Sequence, residues 1–136
     1  MAKDIQVQVV QQSMTTSQGS VRGHTVLIDR PESKEGTDRG AMGGELLLIS
    51  LGGCFMSNLL AAVRAREAPI SNITLDITGT LDDTPARYTA IDMVVRADPC
   101  DMDLLSKLVT ISERSCIVAL TLKNAVDLTI RTADGA

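Results

Sequence analysis

The sequence predicts an α+β fold: two antiparallel sheets with helices segregated from them. Three observations lead there. Short segments with strict apolar–polar alternation occur in neighbouring pairs, the pattern of half-buried antiparallel strands. A single long run, residues 45–67, is helical, and its stretch 46–63 is almost uncharged. A second helical period follows late in the chain, and strands grouped apart from helices are the α+β pattern. At 136 residues the chain has the size of one domain, taken as 1–136.

Residues 4–12 alternate at Ile5, Val7 and Val9 and form the first expected strand. Residues 13–20, polar and containing Gly19, are expected as a turn, and 21–29 as a second strand. Residues 30–44 carry Pro31, Gly36, Gly40, Gly43 and Gly44 and are expected as a loop, with Asp29, Arg30, Pro31 and Glu32 a solvated turn at its start. The main helix covers 45–67 and stops before Pro69. Ile73, Leu75 and Ile77 mark a strand over 73–81. Asp82 to Pro85 is a turn, 88–97 a strand, and Asp98-Pro99 a break. Leu104, Leu105, Leu108, Val109 and Ile111 have helical spacing over 101–112, with Asp101 or Asp103 as the cap. A short helix over 113–123 bears Cys116. A last strand over 126–132 alternates at Val126, Leu128 and Ile130.

The central helix raises a solvent problem. Residues 46–63 are nearly free of charge over 18 positions, which just reaches the length that crosses a membrane. Ser50, Gly52, Gly53, Ser57 and Asn58 are poor choices for a lone lipid-facing span, so no membrane partner is expected. A helix apolar on all sides is otherwise a buried one. A chain this small has difficulty surrounding it alone. A second subunit would cover it, which predicts a homodimer from the sequence itself.

Composition excludes further classes. The net charge is −4, the basic residues are scattered, and with one Tyr, one Phe and no Trp there are no stacking platforms. Nucleic acid is therefore not an expected partner. The N-terminus lacks the apolar segment of a secretory signal, so a cytoplasmic location is expected. Three cysteines without close pairing and a single histidine, His24, do not make a zinc site. In a reducing cytosol such cysteines are inert core residues or reactive thiols.

Cys54 lies within the apolar helix. Free Cys behaves as a small hydrophobe, and a core role is the simple account. Against it, Gly52 and Gly53 each cost roughly 1 kcal/mol of helix propensity, a cost tolerated where a partner helix or ligand must approach. Ser50, Ser57 and Asn58 also put polarity near the thiol. Cys116 stands near the expected start of the short helix, beside Arg114. A helix N-terminus and a cation both favour thiolate, and a role-free capping position is the alternative. Cys100 falls in a turn among carboxylates and is read as incidental. Arg22 and His24 alone are read as surface residues.

Two segments together resemble the OsmC/Ohr family, osmotically induced protein C and organic hydroperoxide resistance protein. One runs from Gly43 to Cys54, the other from Glu113 to Leu122, and their order and spacing fit over nearly the whole chain. Arg22, Gly23, His24 and Thr25, with Leu27 to Pro31, are more similar to the OsmC-like branch than to the peroxidases proper. The resemblance implies an intertwined homodimer, two sheets around two long central helices, with sites at the subunit interface. It implies thiol-dependent reduction of a small organic hydroperoxide, with Cys54 attacking, Cys116 resolving, an external dithiol reductant and no bound cofactor or metal. It also implies an Arg and a Glu that hold the thiolate, carried over to Arg22 and Glu45. The family's Pro falls on Gly43 and its acid on Gly44, so Glu45 stands one position late. The alternative is a noncatalytic dimer that senses redox state or binds a small ligand, or a structural member with inert cysteines.

Overall fold

The computed structural model describes residues 1–134 of the chain. Its elements follow the order β1 (Gln8–Gln11), β2 (Ser17–Val21), β3 (His24–Ile28), a short 3-10 turn (Glu32–Lys34), α1 (Gly43–Ala65), β4 (Thr74–Asp83), β5 (Ala86–Arg96), α2 (Met102–Ser115), α3 (Ile117–Leu122) and β6 (Asp127–Thr132). The class is α+β with two sheets, as the sequence predicts. The chain forms two compact units, Met1–Leu47 and the remainder.

The first unit is built on an antiparallel sheet in the order β1-β2-β3. Residues 13–20, expected as a turn, contain its central strand. A strand reading Ser17, Gln18, Gly19, Ser20 carries no apolar alternation, and its conformation comes from pairing on both sides. At Gly19 a Cβ would lie 3.3 Å from the Val26 side chain across the sheet. The real turn is Arg22-Gly23, with φ of 52° and 83°, which joins Val21 to its partner His24. Positive φ at both central residues is the turn geometry that suits the twist of a tight hairpin.

Asp29 is not in a solvated turn. It is 3% exposed, and its carboxylate accepts from the hydroxyls of Thr16 (2.9 Å) and Thr37 (2.5 Å) and from the backbone N–H of Arg30 (2.6 Å) and Arg39 (3.2 Å). These donors hold its carboxyl well below the usual carboxylate range, the Thr37 bond most of all, with burial opposing. One buried anion thus fixes the loop between β3 and α1. Gly40 is required in that loop, because a Cβ there would run into the Leu27 carbonyl.

The second unit holds the main core. Its sheet has the order β4-β5-β6, with β4 antiparallel and β6 parallel to β5. The parallel pair departs from the all-antiparallel expectation. Two strands that leave in the same direction need a crossover, and α2 and α3 supply it. Leu51, Phe55, Leu59 and Ala62 of α1 recur every three or four residues and are buried. They cluster with Ile91, Met93 and Val95 of β5 and with Leu105, Leu108 and Val109 of α2. Full burial of side chains of this size stabilises by about 1.5–3 kcal/mol each. Asp101 caps α2 by accepting from the N–H of Asp103 and Leu104.

The glycines of α1 separate into two cases. At Gly52 a Cβ would lie 2.6 Å from Ile77 Cδ1, so the close neighbour is a side chain of β4. At Gly53, which is exposed, a Cβ would meet nothing within 4 Å. The most apolar 18-residue window of α1 has a mean hydropathy of 2.0, and 28% of that window is buried among the described residues.

Candidate active site

Two of the residues singled out in the sequence meet in the second unit. Cys54 lies midway along α1, half-buried, one residue before the fully buried Phe55. Cys116 closes α2 and opens α3, with extended backbone (φ −82°, ψ 109°) and no exposed surface. Both are free thiols and both pack in the main core cluster. Cys54 is a near enough neighbour of the Cys116 thiol to favour its protonated form.

The electrostatics of Cys116 overturn one expectation. Burial pushes its thiol pKa up, and Cys54 adds to the rise. The N–H groups of Ala119 and Val118 at the start of α3 pull the other way without closing a capping hydrogen bond. The helix begins at Ile117 and Arg114 belongs to the exposed last turn of α2, so the helix end and the cation are weaker than desolvation. Cys116 is a thiol that keeps its proton.

Around Cys54 the polar company is small. The Nδ2 of Asn58, one turn later, donates to the Cys54 carbonyl at 3.0 Å and stands 4.0 Å from its Sγ. The sequence marks Asn58 only as polarity on an apolar helix. Cys100, at the edge of the same cluster, is half-buried and free.

Arg22 and Glu45 belong to the first unit. Arg22 is exposed at the tip of the β2–β3 hairpin, in the left-handed region. Glu45, in the first turn of α1, accepts from the Met42 N–H at 2.8 Å, so its carboxylate caps its own helix. Asp29 is the anchoring residue that the sequence concealed, since Thr16 and Thr37 reach it from 13 and 8 positions away.

The sequence matches the family described as OsmC-like protein over residues 36–131. The chain belongs to the OsmC-like family. The match takes in Glu45, Cys54 and Cys116 and leaves Arg22 outside it. The fold is shared with solved OsmC-like structures. An OsmC-like protein from Mycoplasma pneumoniae superposes with a TM-score of 0.85 at 15% identity, covering 100% of both chains. An organic hydroperoxide resistance protein OsmC from Legionella pneumophila gives 0.72 at 11%, covering 98% of each. The organic hydroperoxide resistance protein OhrB of Bacillus subtilis gives 0.67 at 14%, covering 96% of this chain and 98% of that one. At these identities the likeness is one of fold. No curated protein sequence matches the chain significantly.

Proposed function

We propose that the chain is a thiol-dependent reductase of small organic hydroperoxides that works in the cytoplasm as a homodimer. The observation that carries this reading is the difference in exposure and protonation between two neighbouring free thiols. Cys54 is reachable from solvent, and Cys116 is buried and protonated. In such a pair the reachable sulfur attacks and the hidden one resolves.

The Cys54 thiolate attacks one peroxide oxygen. The S–O bond forms, the O–O bond breaks, and the alkoxide leaves as the alcohol after taking a proton. Cys54 is then a sulfenic acid. The Cys116 thiol attacks that sulfur, the disulfide forms, and the hydroxyl leaves with the Cys116 proton as water. An external dithiol restores both thiols by two exchange steps, ending as a disulfide itself. The core side chains beside Cys54 are apolar, which favours an alkyl peroxide over hydrogen peroxide.

Two further observations support the assembly. Ile49 and Leu60 on α1 are 60% and 47% exposed, and an apolar groove of about 300 Å³ on β1–β3 is lined by Val7, Val9, Val21 and Val26. A second copy of the chain would cover such surfaces, as the apolar central helix requires. By the family resemblance Arg22 is the candidate cation for the thiolate. Glu45 is the candidate acid to orient it.

Consumption of cumene or tert-butyl hydroperoxide with a dithiol tests the reading. The wild type consumes these faster than hydrogen peroxide, and Cys54→Ser consumes none. Wild-type protein that consumes no peroxide, with Cys54 unmodified after long exposure, would leave the noncatalytic dimer in its place.

A further inference from the structure

Asn58 is an expensive choice where it stands. Asn is among the poorer helix formers because its amide competes with the backbone. Here it sits inside α1, half-buried, between the fully buried Phe55 and Leu59. The competition is visible, since its Nδ2 donates to the Cys54 carbonyl at 3.0 Å. That bond uses one of two N–H groups. It also pins the amide, and the pinned nitrogen is 4.0 Å from the Cys54 Sγ.

An apolar surround penalises a sulfur anion, and a hydrogen-bond donor aimed at it offsets the penalty. We propose that Asn58 is a positioning residue for Cys54, its amide anchored on the helix carbonyl and its remaining N–H held toward the sulfur so as to favour and orient the thiolate. The separation is long for a neutral thiol, and charge-assisted bonds are shorter than neutral ones, so the contact tightens as the sulfur ionises. The donor is on the same helix as its acceptor, one turn away, and its geometry survives movement of either neighbouring element. The proposal rests on Cys54 being the attacking thiol.

The test reads the thiol directly, without peroxide or reductant. Iodoacetamide modification of Cys54 is followed by peptide mass spectrometry as a function of pH in the full-length wild type, Asn58→Leu and Asn58→Ser. Leucine keeps the size and removes the donor. Serine keeps a bond back to the helix carbonyl but has no second hydrogen to offer the sulfur. Both variants should move the profile to higher pH and slow modification at pH 7 by roughly three- to tenfold. A serine variant with the wild-type profile would reduce Asn58 to a helix back-bond and overturn the proposal, as would an unmoved profile in a folded leucine variant. If the leucine variant fails to fold, the serine variant decides alone. A shifted profile in a protein that consumes no peroxide would sink the peroxidase reading and leave the role of Asn58 standing.

Discussion

Replacing Cys116 by alanine or serine separates its packing from its chemistry. The side chain is wholly buried at the α2–α3 junction. Alanine removes an apolar group comparable to one methylene, worth about 0.8 kcal/mol on transfer. It leaves a void no larger than a water molecule's ~30 Å³. At about 24 cal/mol per Å³, that void adds roughly 0.7 kcal/mol. The sum is about 1.5 kcal/mol, or a drop of about 5–7 °C in Tm for a domain of this size. Serine keeps the volume nearly filled and puts a hydroxyl where the thiol makes no capping bond. Serine is a preferred N-cap, worth about 0.5–2 kcal/mol, which offsets the cost of burying the hydroxyl. Cys116→Ser should therefore melt within a few degrees of the wild type, and above Cys116→Ala. Chemistry should treat the two alike: one alcohol released per Cys54, then arrest or slow overoxidation of the sulfenic acid. Scanning calorimetry gives the first comparison and peroxide titration the second. An alanine variant as stable as the wild type would refute the packing argument. Sustained wild-type turnover in both variants would remove the resolving role.

Three other outcomes follow from the same structure. Asp29 has its carboxyl pKa lowered in the fold, so the stability it contributes is complete above the ordinary carboxylate range and is lost as pH falls through and below pH ~4; denaturant titrations from pH 7 to 3 should show a steeper acid loss for the wild type than for Asp29→Asn, which starts lower at pH 7. Gly52→Ala sets a gain of about 1 kcal/mol in helix propensity against an overpacking cost of about 1–3 kcal/mol on the far end of Ile77, for a net change from about zero to about 2 kcal/mol destabilising, and Ile77→Val should relieve the overpacking part in the double variant; additive effects in a double-mutant cycle would show that the two do not meet. Ile49→Glu and Leu60→Glu should convert a dimer to monomer in light scattering, and a wild type that is already monomeric at micromolar concentration would end the assembly proposal.

Much of the fold was legible because its signals are local. Ile73, Leu75 and Ile77 alternate as β4 does, and Pro69 follows the end of α1 by four positions. Strand β2 was hidden because Ser17 to Ser20 have no periodicity of their own, and only pairing on both sides makes them a strand. The parallel docking of β6 is likewise a non-local event. At the site, the residue types were visible and their meeting was not. No period relates Cys54 to Cys116, and only the family resemblance paired them. The protonation of Cys116 was misjudged because Arg114 and a helix end can be seen in a sequence, whereas desolvation is a property of the assembled core. Asp29 was misjudged for the same reason, its donors being scattered across two loops.

The parallel docking of β6 on β5 sets a clock on the thiols. A nascent chain can zip β4 onto β5 through a tight turn, but β6 must wait until the whole crossover has emerged, and the contact of Thr129 with Asp92 closes 37 positions. Closing such a loop is entropically unfavourable until the new strand packs. Leu128 and Ile130 of β6 pack against the cluster that hides Cys116. Until the last strand docks, the cover over Cys116 lacks these two side chains. A brief thiol-labelling pulse during refolding would time the arrival of residues 127–132 by the loss of labelling at Cys116.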